Sequence, residues 1–125
     1  MPEHVHLLIL PRQPVYEMRR ILAAIKSPVS RHAKKFLIEA GEVDWLQRLT
    51  ARHCDRETFR FWQPGGGFDS NLWSATTIIA AMEYIHVNPV RRGLVQRPID
   101  WTWSSAAAHA GRSPVPLSID PVDLN

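Results

Sequence analysis

Cysteine, lysine, tyrosine and long apolar runs are what this sequence has least of. A single cysteine, Cys54, in 125 residues excludes an internal disulfide framework. No stretch reaches the ~18 apolar residues of a membrane-spanning helix. The one apolar run near the start contains His4 and His6, which does not suit a secretion signal. These absences lead us to expect a cytoplasmic protein with no membrane association. Only three lysines occur, Lys26, Lys34 and Lys35, although Lys and Arg together number 15 against 12 acids. The net charge of +3 therefore rests on arginine. Arginine grips phosphate through two parallel bonds and stacks on bases, so an arginine-weighted excess points toward nucleic acid. What is present in ordinary amount also excludes classes. Hydrophobic residues at 45% and charged residues at 22% are normal globular usage, which argues against a disordered or fibrous chain. The length fits one small domain.

Periodicity and punctuation give an order of elements. Residues 3–10, EHVHLLIL, read as a strand ending at Pro11. His4, His6, Leu8 and Leu10 would then share one face, and Val5, Leu7 and Ile9 the other. Residues 15–26 read as a helix, with Val15, Met18, Ile21, Leu22 and Ile25 as its apolar stripe. Pro28 predicts a break. A second helix follows over 29–40, closing at Gly41 and carrying Arg31, Lys34 and Lys35 on one face. A short helix is expected over 43–51. TFRFWQ at 58–63 and FDSNLW at 68–73 predict a hairpin around Gly65-Gly66-Gly67. Residues 74–88 give the clearest helix, capped by Ser74 and stopped by Pro89. A short helix over 103–110 and a proline-bearing tail over 111–125 complete the chain, with 1–110 as the domain. No internal repeat is visible.

Two constellations carry chemistry. In His4-Val5-His6, imidazoles at i and i+2 of a strand lie side by side and could converge on one divalent ion. The same pair would equally suit two histidines of an edge strand. The second constellation is on the 74–88 helix. Ala75, Ile78, Ile79, Met82 and Ile85 cluster on its core side, while Thr77, Ala81, Tyr84 and Asn88 fall on roughly the opposite side. Tyr84 thus points away from where a packing tyrosine belongs, and Asn88 lies one turn beyond it. A solvated face is the alternative. Taken together, a tyrosine hydroxyl can attack a phosphodiester and hold it covalently, while a divalent cation steadies the charge. Two histidines and an amide oxygen leave octahedral positions open, a set that suits Mg²⁺ or Mn²⁺.

MPEHVHLLI (1–9) resembles the His-hydrophobic-His motif of the single-tyrosine HUH transposases, of insertion-sequence type. FWQPGGGFDSNLW (61–73), EYIHVNPVRRGLV (83–95) and RPIDWTWSS (97–105) resemble the later blocks of their REP-associated tyrosine transposase branch, in the same order and spacing. The resemblance covers about residues 1–105, and the tyrosine block is its most specific part. It implies an α+β, ferredoxin-like α/β sandwich around an antiparallel sheet, usually homodimeric. It implies an enzyme that cuts and rejoins single-stranded DNA near hairpins, using a divalent metal and a transient 5′-phosphotyrosine. Carried over by position, Tyr84 would be the nucleophile and His4 and His6 metal ligands. Asn88 matches a polar third-ligand position where relatives often carry glutamine. Glu3 stands where many relatives carry asparagine. The family's first strand and helix, ahead of the histidine strand, have no counterpart in this sequence. The alternative expectation is therefore a truncated, catalytically inactive relic that still binds DNA.

Arg31, Lys34, Lys35, Arg91 and Arg92 are the candidate DNA-phosphate contacts. Trp62, Trp73, Trp101 and Trp103 are assigned to packing, although Trp62 and Trp73 could also stack on unpaired bases. His86 is read as structural, Cys54 as inert, and His32, His53 and His109 show no pattern. A histidine-triad nucleotide hydrolase would also alternate histidines on a strand, but its third position is Leu8 here.

Overall fold

A computed structural model describes Met1 and residues 3–121; Pro2 and the last four residues of the expected tail lie outside the described residues. The architecture is mixed, with helices and one small antiparallel sheet. The chain divides into two compact units. One comprises Met1–Leu10 with Ser70–Asn125, and the other comprises Pro11–Asp69. Among the described residues no helix is long and apolar enough to cross a membrane.

The Pro11–Asp69 unit is built on a long helix, α1 (Met18–Glu39). The break predicted at Pro28 does not occur; the two expected helices are one. Pro28 removes a single N–H from the ladder, a cost of about 3 kcal/mol in a helix interior. Both halves of the helix have neighbours in the unit, although none of its residues is buried. Met18, Leu22 and Lys26 line a hollow with Gly65 and Gly66, while Ala33 and Leu37 line another with Trp45 and Leu49. The Trp62 indole N–H also donates to the Lys26 carbonyl at 3.0 Å. The stop at Gly41 is as the sequence suggests. Gly41 sits at φ +70°, where a side chain is disfavoured, and the Glu42 N–H bonds back to the Leu37 carbonyl.

A short helix, α2 (Val43–Arg48), is followed by a hairpin of β1 (Thr50–His53) and β2 (Arg56–Phe59). The predicted hairpin is displaced toward the N-terminus. The partner of β2 begins inside the segment expected to be helical, at Thr50 and Ala51, and residues 68–73 join no strand. The pairing runs Thr50 with Phe59, Ala51 with Thr58, Arg52 with Glu57 and His53 with Arg56. Arg52 Nε meets Glu57 Oε1 at 2.6 Å directly across the ladder. Closing two residues between β1 and β2 costs less chain entropy than spanning the glycine run. The turn takes Cys54 to φ +49°, a conformation in which a non-glycine residue is uncommon.

In the other unit the main element is α3 (Ala75–Arg91). Ser74 is extended at φ −133°, and its Oγ accepts the Thr77 N–H at 3.2 Å; Thr77 Oγ1 accepts the Ser74 N–H at 3.3 Å. Pro89 does not stop the helix. It lies in the last turn, where only one further ladder bond is lost, and it is buried together with Asn88. The end comes at Gly93, at φ +69°, with the Leu94 N–H bonding to the Pro89 carbonyl. A 3-10 turn at Pro98–Asp100 and a single helical turn, α4 (Ala106–His109), follow; the expected helix over 103–110 shrinks to the latter.

Residues 3–10 do not form the predicted strand. Among the described residues no segment pairs with them, and an extended run without a neighbour has no ladder. The alternation survives at His4 to Leu7: His4 and His6 are half-buried, whereas Val5 and Leu7 are exposed. Burial elsewhere is sparse. Among the described residues Asn88, Pro89 and Ala106 are the buried positions. Of the expected core face of α3, Ile78, Met82 and Ile85 are half-buried but Ala75 and Ile79 are exposed. Trp73 and Trp103, assigned to packing, are exposed as well. Their aromatic character signalled a core, but only packing partners can supply one.

Candidate functional site

The residues singled out by sequence meet in the unit of Met1–Leu10 and Ser70–Asn125. His4 and His6 come from the N-terminal segment, and Tyr84 and Asn88 from successive turns of α3. His6 Nε2 lies 3.0 Å from His4 Nε2 and 2.8 Å from the Asn88 side-chain nitrogen. The Tyr84 ring packs edge-on to the His6 ring, with centroids 5.5 Å apart. His4 and His6 rings are also edge-on, at 4.7 Å. Tyr84 is half exposed, as its position off the apolar stripe predicts. Asn88 departs from that reading. It shares the side of Tyr84 but is buried, because the His6 segment covers it.

This hydrogen-bond arrangement is contested at one atom. A neutral imidazole nitrogen has either one N–H or one lone pair. His6 Nε2 has two neighbours within bonding distance and can satisfy only one of them well. A cation shared by the lone pairs of all three groups removes the conflict. Adjacent ligands of an octahedral ion with bonds of about 2.1 Å lie roughly 3.0 Å apart, which matches the two separations. Turning the Asn88 amide over presents its oxygen, the atom a hard cation prefers, at the same place. His4, His6 and the Asn88 amide are thus the residues that could hold a divalent ion. Histidine, cysteine, aspartate and glutamate alone form no cluster of three or more about one point among the described residues; the amide makes up the set.

Electrostatics favour the form a ligand needs. Burial, then the neighbouring His4, lower the pKa of His6 and keep the ring neutral at neutral pH. Glu3, to which the sequence reading gives no role, sits beside the site. Its Oε1 lies 3.8 Å from His4 Nδ1, and the same carboxylate pairs with Arg92. Its own backbone N–H, and then the Arg92 charge, hold its carboxyl below the ordinary value. At 3.8 Å this approach is longer than a hydrogen bond, so the charge of Glu3 acts on the His4 ring without fixing it. The signal available in sequence was an acid directly preceding His-x-His.

The candidate DNA cations divide. Arg91 ends α3 and is exposed, and Arg92 just after it is engaged by Glu3. Arg31, Lys34 and Lys35 are exposed on α1 of the other unit. There Lys35 pairs with Glu39 at 3.6 Å, and Lys34 lies 5.9 Å over the Phe59 ring. His86, read as structural, bonds Ser105 Oγ at 2.9 Å and stacks near His109, a residue with no sequence signal. Burial, followed by the His109 charge, lowers its pKa. No protein-family model, curated protein or solved structure matches the chain.

Proposed function

We propose that the chain is a metal-dependent transposase that cuts and rejoins single-stranded DNA, with Tyr84 as its nucleophile, of the REP-associated tyrosine type that its motifs resemble. The observation that supports this most is the convergence of His4, His6, Asn88 and Tyr84 from segments some eighty residues apart. The reading includes the ferredoxin-like sandwich, a homodimer, a cytoplasmic setting and hairpin DNA as substrate.

The chemistry follows from the side chains. The Tyr84 phenolic oxygen attacks the phosphorus of a DNA phosphodiester, and the phenol proton passes to solvent. A Tyr84–phosphate bond forms as the bond to the 3′ oxygen breaks; that oxygen takes a proton and leaves as a 3′ hydroxyl. Attack by a 3′ hydroxyl reverses these changes and rejoins the strand. A Mg²⁺ or Mn²⁺ ion held by His4, His6 and the Asn88 amide oxygen would polarise the phosphate and offset its developing charge. The edge-on packing against His6 sets the Tyr84 ring. Arg91 supplies a cation for the flanking backbone.

The test is covalent capture. The full chain, incubated with Mn²⁺ and an end-labelled hairpin with single-stranded flanks, should yield a labelled adduct that survives denaturing electrophoresis. Tyr84→Phe should abolish the adduct and leave hairpin binding intact. An undiminished adduct from the Phe variant would overturn the assignment. A DNA-binding relic is the second reading, favoured by the absence of ladder pairing for residues 3–10; it predicts binding without an adduct from either protein.

A further inference from the structure

We propose that the Pro11–Asp69 unit carries a single-stranded DNA groove of its own, in which unpaired bases stack on Phe36, Trp45 and Phe61. The partner class is that of the proposed function, but the argument rests on this unit alone and needs nothing from Tyr84.

The groove is a hollow of about 360 Å³ bounded by Ala33, Phe36 and Leu37 of α1, Trp45 of α2, Leu49, and Phe61 beyond β2. Its lining is apolar, yet its three rings are open to solvent: Phe36 is 66% exposed, Trp45 51% and Phe61 42%. Charge says what covers them. This unit has eleven Lys and Arg against seven Asp and Glu, a net +4, whereas the rest of the chain has four against five. The whole basic excess thus lies in the unit that holds this groove.

Cations and rings also alternate at short range. At the groove the Arg48 guanidinium lies 5.6 Å from the Trp45 ring centre; elsewhere in the unit Lys34 Nζ lies 5.9 Å from Phe59 and Lys26 Nζ 5.9 Å from Trp62. Arg60 precedes Phe61 in the chain, and its backbone N–H donates to the Leu49 carbonyl at 2.6 Å. Exposed rings that bases can stack on, bordered by cations that follow a phosphate backbone, are the two parts of a sequence-tolerant single-strand site. A protein strand or a second copy of this chain would fill the apolar hollow but would leave the surplus of positive charge uncompensated.

The experiment is a fluorescence-anisotropy titration of the full chain with a short fluorescein-labelled oligothymidylate, which forms no hairpin. Trp45→Leu keeps apolar bulk and removes the stacking face; Trp45→Phe keeps a ring. Circular dichroism checks that each variant is folded. Affinity should fall about tenfold for the Leu variant and stay within about threefold for the Phe variant, as stacking tolerates any aromatic face. Arg48→Ala should weaken binding and flatten its salt dependence by about one counterion. Equal affinity of the Leu and Phe variants, or no binding of oligothymidylate by the wild type, overturns the proposal. So does a dimer that Trp45→Leu dissociates while DNA affinity is unchanged, which would make the occupant a second copy. If Trp45→Leu does not fold, Arg48→Ala and the wild-type salt dependence decide. The Tyr84 adduct on a hairpin is a separate readout, so either reading can fail alone.

Discussion

The two units of this chain differ in what their polar groups are committed to. In the unit of Met1–Leu10 and Ser70–Asn125, polar side chains hold one another. His6 meets His4 and Asn88, Glu3 meets Arg92, His86 meets Ser105, and Arg97 meets Asp100. Its formal charge is −1. In the Pro11–Asp69 unit Arg20, Lys35 and Arg52 pair with Glu17, Glu39 and Glu57, three further cations lie over aromatic rings, and the formal charge is +4. A reactive centre needs groups fixed relative to each other, whereas a strand-holding surface needs charge and flat apolar faces without fine geometry. Under the proposed function this division would separate chemistry from grip, with the positive charge placed on one unit rather than spread over both.

The largest expected effect breaks this comparison cleanly or not at all. His6→Ala removes the ring that both His4 and Asn88 address. Covalent capture of the hairpin should fall by about 100-fold, with oligothymidylate affinity unchanged within error. A parallel loss of affinity would show that the two units do not divide the labour. Unchanged capture would remove His6 from the site.

The sequence-level reading does unevenly well, for reasons visible in particular residues. Ser74 and Gly41 were legible because caps are local: a hydroxyl reaches an N–H three residues on, and a glycine adopts φ +70° on its own. The pairing of Tyr84 with Asn88 was legible because helical spacing fixes which residues share a side. Pro28 misled because its effect depends on what the helix packs against at both ends, which is not written beside it. The hairpin misled because its true turn, at Cys54 and Asp55, contains no glycine, while the conspicuous Gly65–Gly67 run lies outside any ladder. Residues 3–10 look like a strand in sequence, but a strand is defined by its neighbour. Glu3 and the aromatic groove were missed because a lone acid and scattered Phe36, Trp45 and Phe61 have no common period; only the fold gathers them.

A smaller effect sharpens the comparison at the level of stability. Ser74→Ala removes the hydroxyl that accepts the Thr77 N–H, and helix caps contribute about 1 kcal/mol. If the units open separately, amide hydrogen exchange should quicken in the first turns of α3 and leave the α1 amides at their wild-type rates. Uniform acceleration through both helices would mean that they open as one cooperative body.

The smallest effect is in the acid range and concerns the pair at the 3-10 turn. Arg97 Nε and a terminal nitrogen hold both Asp100 oxygens, at 2.9 and 2.8 Å. That hydrogen-bonded guanidinium lowers the Asp100 pKa below its ordinary 3.8, and the carboxylate raises that of Arg97. A carboxyl whose folded pKa is depressed contributes stability that is present above its unfolded pKa. That contribution is lost as pH falls through the folded value. Because the pair is solvent-exposed, water and salt screen most of it. Between about pH 5 and about pH 3, where unfolded Asp titrates, the wild type should therefore lose slightly more thermal stability than Asp100→Asn, and the difference should shrink at high salt. The loss should register in the tryptophan fluorescence of Trp101 and Trp103 rather than of Trp45, which single-tryptophan variants can resolve. Parallel melting curves for the two proteins across that range would show that the pair is a surface contact with no part in holding this unit together.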